Sequence, residues 1–193
     1  DTKGKQVTFK SNISRDYEAY PDGFSYVNLG GEFTFFEKGN FSKEYIKTKK
    51  DYIAQLLYAI AKLNEESESI ETNLTLLLPI SEMDHKQKYI EDLKGKEFKF
   101  AAKTTKKSNK VVKILDVFVV PEGYASYFTL DDKTKSSNVL ILDIGGRTTN
   151  VVAMDNGKPQ VLNTYKIGIL DFYLKLKNLN SDKEYKIEDI EKA

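Results

Sequence analysis

The 193-residue sequence contains no cysteine, no tryptophan and a single histidine, His85. The absence of cysteine excludes disulfides, thiolate-ligated zinc and thiol catalysis. One histidine cannot build a multi-histidine metal site and gives poor grounds for a histidine-based triad; His85 lies in a polar, helix-like stretch and reads as a surface residue. Neither sign of charge dominates, with 30 Lys plus Arg against 29 Asp plus Glu. That balance offers no electrostatic case for direct nucleic-acid binding or for an anionic membrane as the main partner. The lysine runs Lys47, Lys49, Lys50 and Lys103, Lys106, Lys107, Lys110 lack interleaved aromatics and read as solvated faces or loops. No apolar run approaches the roughly 18 residues of a membrane span, and no segment has the signal-peptide pattern. Asn12, Asn40 and Asn73 fit the glycosylation pattern by chance on that reading, and a cytoplasmic protein is the expectation. Neither G-x-x-x-x-G-K-[ST] nor G-x-G-x-x-G occurs, which removes the main support for P-loop and Rossmann sites.

The composition that remains, 40% hydrophobic and 31% charged, is that of a globular chain forming one large domain or two small ones. Residues 5–13 alternate loosely and are expected as a strand. Pro21-Asp22-Gly23 is a turn, and Phe24 to Leu29 and Phe33 to Phe36 alternate around Gly30-Gly31 as a hairpin. Thr48-Lys49-Lys50-Asp51 has the capping-box pattern. It precedes a helix carrying Tyr52, Ile53, Leu56, Leu57, Ile60 and Leu63 on one face. Leu74 to Pro79 reads as a buried strand. Ser81 to Asp84 is a second capping box, for a helix through Leu93 that Gly95 stops. Glu97–Phe100 and Val111–Val120 are expected strands on either side of Thr104–Lys110, a loop or hairpin tip, and Tyr124–Leu130 a short helix. Asp131–Asn138 is polar and is the expected domain boundary. A meander of three strands follows, turning at Asn156-Gly157. The last expected element is a helix from Gly168 to Leu179 with Ile169, Phe172 and Leu176 on one face. Strands and helices both alternate and cluster, which implies α/β architecture with a mixed sheet.

The most informative run is Val139 to Val152. An apolar strand ends in Asp143; Gly145-Gly146 turns the chain; Thr148 and Thr149 open a second strand. Glycines let backbone N–H groups approach phosphate oxygens without a Cβ in the way. A carboxylate can hold Mg²⁺ through water, and a threonine hydroxyl can bond a phosphate oxygen. The alternative reading of the same residues is a structural hairpin with a tight Gly-Gly turn. A second acid, Glu122, ends the strand Val111–Val120 and leads into a helix. Ligands in α/β folds bind at the carboxyl ends of strands. Glu122 and Asp143 are therefore candidate partners in one crevice, placing a metal and orienting water toward a terminal phosphate. The alternative for Glu122 is a first-turn acid favoured by the helix dipole.

In order along the chain, Leu76-Leu77-Leu78-Pro79, Val119 to Ala125 and Leu142 to Thr149 resemble bacterial actin-like plasmid-segregation ATPases of the ParM type, within the actin, DnaK-type chaperone and sugar-kinase superfamily. The run around Asp143 is similar to the second phosphate loop of that superfamily. The hairpin Tyr26–Gly39 is similar in style to an early accessory subdomain. The resemblance implies an actin-like (ribonuclease-H-like) α/β fold, incomplete at both ends. Residues 1–134 would be domain I, with a hairpin subdomain at about 14–40, and 135–193 would start domain II. It implies ATP or GTP and Mg²⁺ as ligands, Asp143 as the metal and water position, and Glu122 as the residue polarising water. The amides of Gly145, Gly146 and Arg147 with Thr148 would bind phosphate. Lys3 would be a contact from the tail of the first phosphate loop. It also implies self-association into a polar filament and a separate DNA-binding adaptor. Two positions depart from the pattern. Arg147 stands where a small residue or threonine is usual, and either contacts phosphate or faces solvent. Asn150 stands where an aspartate is common. The adenosine motif expected late in such proteins is absent, and both ends of the chain look cut. A small-molecule kinase and a non-catalytic scaffold are the competing expectations. No substrate-base motif supports the kinase, and the intact Asp143-to-Thr148 turn opposes the scaffold.

Overall fold

The computed structural model describes residues 4–39, 52–181 and 183. The chain forms two compact units, Asp1–Thr75 with Gln87–Phe118 and Leu76–Lys86 with Val119–Ala193. Each is described on its own.

The first unit is organised by a six-stranded sheet, ordered β1-β3-β2-β5-β6-β4. Its strands are β1 (Ile13–Ser14), β2 (Tyr26–Leu29), β3 (Glu32–Phe36), β4 (Ser69–Leu78), β5 (Glu97–Lys103) and β6 (Lys107–Pro121). Gly30 and Gly31, both at positive φ, make the expected β2–β3 turn. Neighbours from β1 to β6 pair antiparallel. The β4–β6 bonds instead advance together, Val111 N–H to Glu68 O and Glu122 N–H to Leu78 O, both 2.7 Å, so this pair is parallel and the sheet mixed. The expected strand over residues 5–13 shrinks to β1. Phe9 earns its place from irregular backbone, meeting Phe36 and Tyr58 edge-on at 5.9 and 5.0 Å. Tyr58 comes from helix α1 (Ile53–Leu63) and stacks on Phe36 at 4.0 Å. The buried face of α1 is Ala54, Leu57, Tyr58, Ile60 and Ala61, rotated from the expected one, with Leu56 and Leu63 only half-buried. The capping box expected before this helix lies outside the described residues.

The expected loop or hairpin tip Thr104–Lys110 is the end of the β5–β6 hairpin, although its strands run further into the stretch than expected. Its tip is Thr104 to Lys106, and β6 begins at Lys107. Lys110 is not a solvated lysine: it is 2% exposed. Its ammonium donates to the carbonyls of Asn64 (2.9 Å), Glu65 (2.8 Å) and Ser67 (2.7 Å). Three donors meet three acceptors just past the end of α1, where unpaired carbonyls carry partial negative charge, and this makes a buried lysine tolerable. Burial pushes its pKa below the ordinary lysine value. After β4 the chain turns through a 3-10 helix, Ile80–His85, into α2 (Lys86–Leu93). Pro79, not Ser81, stands at the N-cap, so the expected second capping box is not formed. Gly95 at φ +74° stops α2, and its amide donates to Ile114 O.

The second unit contains a three-stranded antiparallel meander, β7 (Asn138–Ile144), β8 (Thr149–Asp155) and β9 (Lys158–Tyr165), with α3 (Tyr124–Tyr127), α4 (Asp132–Lys135) and α5 (Ile169–Leu179). The β8–β9 turn is the expected Asn156-Gly157, both residues at positive φ. Tyr127, Val152 and Met154 form its core, packed by Ile80, Tyr124, Leu130, Val139 and Ile141. The polar stretch at 131–138 lies within this second compact unit. Asp131 caps α4 through the Thr134 amide at 2.8 Å, a bond that holds its carboxyl below the ordinary value. The Tyr127 hydroxyl donates to Lys135 O at 2.9 Å.

The opposite face of β7 is open, with Leu140, Leu142 and Ile144 more than half exposed. The expected apolar face of α5 is also uncovered, with Phe172 at 54%. Periodicity identifies which residues share a face but says nothing of what covers it. Among the described residues no helix is long and apolar enough to cross a membrane.

Replacing Lys110 by methionine leaves three carbonyls short of a donor. The expected cost is about 2 kcal/mol, a fall of roughly 4–8 °C in melting temperature. An unchanged thermal melt would show that the ammonium is not the tie.

Candidate functional site

All the candidate residues within the described chain lie in the second unit. The β7–β8 register places Asp143 opposite Asn150, and the β8–β9 register places Asn150 opposite Thr164. Three polar side chains therefore stand abreast on the face that carries Val139, Ile141 and Val152 to the core. Glu122 arrives from the end of β6, held by its amide bond to Leu78 O. Gly123 follows at φ +74°, where a side chain is strained. A Cβ there would lie 3.5 Å from the Asp143 Cβ and 3.6 Å from the Asn150 Cβ. Those are ordinary contact distances, so this glycine answers to its backbone conformation, which carries the chain past Asp143 and Asn150.

Asn150 is fully buried, and every side-chain polar atom has a partner. Its Nδ2 donates to Glu122 Oε2 at 3.1 Å and to Asp143 Oδ2 at 3.4 Å. Its Oδ1 accepts from Thr164 Oγ1 at 2.7 Å. The structure thus brings the two expected acids to a single carboxamide. Among the described residues no cluster of three or more acids or histidines could hold a metal alone. Two carboxylates suit Mg²⁺, which takes one or two of them and fills its other positions with water and phosphate oxygens.

The Gly-Gly turn between β7 and β8 is closed from within. The Gly145 amide donates to Thr148 O at 2.8 Å, so it is committed to the turn rather than offered to phosphate as expected. A Cβ at Gly145 would come 3.2 Å from that same oxygen. Gly146 is exposed at the tip, with Arg147 and Thr148 half-buried beside it. The N-terminus of α5 clamps the other side. Ile169 N–H donates to Gly145 O at 3.0 Å and Leu170 N–H to Gly146 O at 2.9 Å. Asp171 accepts from the Gly168 amide at 2.8 Å, closing the helix start. Thr149 Oγ1 donates to Ile167 O at 2.7 Å. Lys3 lies outside the described residues.

Sequence reasoning noted Asn150 only as a departure and did not single out Thr164, Gly123 or Gly168. Strand pairing across the two turns is the signal that points to Asn150 and Thr164.

No protein family matches the sequence, and no curated protein is significantly similar to it. Solved structures are similar in shape. An archaeal actin homologue, Ta0583, superimposes with a TM-score of 0.74 at 15% identity, over 96% of this chain and 64% of that one. The chain has the actin-like fold. The Alp12 filament structure matches with a TM-score of 0.63 at 20% identity, over 89% of this chain and 56% of that one. ParM of Bacillus thuringiensis with AMPPNP matches with a TM-score of 0.57 at 14% identity, over 92% and 59%. The actin-like chain described here thus spans less than two thirds of each of these proteins.

Gly168, before α5, and Gly146, in the turn, make opposite predictions. A Cβ at Gly168 would fall 2.5 Å from Arg147 N and Gly146 C and 2.6 Å from Gly145 O, all backbone atoms. At Gly146 the nearest atom is Leu170 Cδ1 at 3.5 Å, the end of a flexible side chain. Gly168→Ala is expected to cost about 3 kcal/mol in chemical denaturation, whereas Gly146→Ala stays within about 0.5 kcal/mol. Equal effects would contradict the clamp.

Proposed function

We propose that this chain belongs to an actin-like, filament-forming nucleoside triphosphatase of the ParM type that moves plasmid DNA through a separate DNA-binding adaptor. The observation that carries the reading is the convergence of Glu122 and Asp143 on Asn150, beside an exposed Gly-Gly turn, within an actin-like fold. Residues 1–134 then correspond to domain I and residues 135–193 to the start of domain II. The substrate is ATP or GTP. Asp143 takes the position facing Mg²⁺ and water, Glu122 polarises the attacking water, and the turn residues Gly146, Arg147 and Thr148 receive phosphate. Lys3 is a further phosphate contact in the same reading.

Hydrolysis joins the water oxygen to the terminal phosphorus and breaks the bond from that phosphorus to the bridging oxygen. The nucleoside diphosphate leaves, and the water proton passes to a carboxylate or phosphate oxygen. Magnesium, when bound, neutralises charge on the phosphates. The protein's own contribution is to orient water with two fixed carboxylates. A net charge of +1 fits a filament subunit that leaves DNA binding to its adaptor. The filament in the Alp12 structure and the AMPPNP on the Bacillus thuringiensis ParM are compatible with this reading.

High-speed pelleting of the full-length protein with Mg²⁺ and ATP or GTP, against ADP and nucleotide-free controls, tests it. Triphosphate-dependent pelleting that reverses as phosphate is released is expected. Asp143→Ala should lower turnover by about 100-fold or more. Turnover with no pelleting at any concentration would point to a monomeric, kinase-like enzyme, and indifference to Asp143→Ala would point to a scaffold.

A further inference from the structure

Both carboxylates take a proton donor from one neutral amide, that of Asn150. The direction of that amide therefore matters to both. With Nδ2 toward the acids, two N–H groups meet two carboxylate oxygens. Flipped, Oδ1 would face both oxygens and repel them. The orientation is selected on the far side of the carboxamide. Thr164 Oγ1 accepts the Ser81 N–H at 3.2 Å, so its own proton is directed to Asn150 Oδ1 at 2.7 Å. The relay is directional at every step: Ser81 N–H to Thr164, Thr164 O–H to Asn150, Asn150 N–H₂ to Glu122 and Asp143. It joins the 3-10 helix after β4, the strands β8 and β9 and the end of β6, all within the second unit.

We infer that Thr164 is a positioning residue for hydrolysis, acting through Asn150 to fix the two carboxylates in the geometry that orients the attacking water. This rests on the triphosphatase reading and adds to it a residue remote from the Gly-Gly turn. Thr164 need not touch nucleotide. Its loss should leave phosphate binding at the turn intact and disturb only the angle at which Glu122 and Asp143 present their oxygens. A misplacement on the scale of an ångström at a reacting group is costly, so the effect belongs in kcat.

The test compares Thr164→Val, close in shape but without the hydroxyl, with Thr164→Ser, which keeps it. Turnover and equilibrium binding of Mg-nucleotide are measured on the full-length protein, with thermal melts alongside. Thr164→Val is expected to lower kcat about tenfold or more while Kd stays within about twofold. Thr164→Ser is expected to restore most of the rate. A valine variant that turns over normally overturns the inference and leaves the triphosphatase reading standing. So does a loss shared equally by kcat, Kd and stability, which would mark a structural hydroxyl. An unsubstituted protein that binds nucleotide but never hydrolyses it removes both.

Discussion

Two carboxylates facing one buried carboxamide set the conditions that the second unit must satisfy. Like charges brought together repel, and each loses hydration as the site closes. The Asn150 amide offsets both effects by donating to Glu122 and Asp143 at once. For that geometry to exist, the end of β6 must come against the inner face of β7 and β8. Gly123 permits it with a backbone conformation, φ +74°, that a side chain would strain. The short helix α3 and Leu130 after it then complete the apolar layer around Val152 and Met154, immediately beside the polar row. Core and site thus share strands, with alternate inward positions on β8 serving first Asn150, then Val152 and Met154.

The same economy governs the turn. Its carbonyls are taken by the first amides of α5 and one of its own amides closes it, so the loop is braced from two sides while its tip stays exposed. Phosphate loops depend on such bracing, because backbone dipoles stabilise charge most when they need not reorganise to meet it. Bracing by α5 also requires Gly168, which lies under the turn where no side chain fits. Its φ of −142° would be open to any residue, so this glycine answers to space and not to backbone conformation.

Much of this could be read from the sequence where a local rule decides. Gly30-Gly31 and Asn156-Gly157 turn where their positive φ preference places them, and the meander, the α/β class and the meeting of Glu122 with Asp143 follow from strand ends and turns. Elements that depend on distant partners were harder to read. Lys110 looked solvated because its three acceptors lie more than 40 residues away in sequence. The strand expected over 5–13 failed because Phe9 packs without sheet pairing. The Ser81 pattern suggested a cap, yet its amide answers to Thr164. Thr164 itself was hidden by a register shift. Counting back from the Asn156-Gly157 turn without interruption puts Asn163 opposite Asn150. The irregularity between Ala153 and Met154 moves the pairing by one residue and brings Thr164 there instead. A one-residue slip reverses which face a side chain occupies, so this single bulge decides whether the relay exists.

The choice of an amide at position 150 has a chemical consequence. Asparagine is neutral, carries two donors and an acceptor on one planar group, and does not titrate. Its own set of donors and acceptor is therefore the same at any pH at which the protein is folded. An aspartate at that position would turn the donor face into a third acceptor, and the row would then need a proton or a cation to hold together. With asparagine the two acids are held at one amide without a metal; under the triphosphatase proposal Mg²⁺ would not have to organise them. In the proposed reaction, the cost of ordering the acids is met when the chain folds, and the bulge that seats Thr164 is part of how that order is achieved.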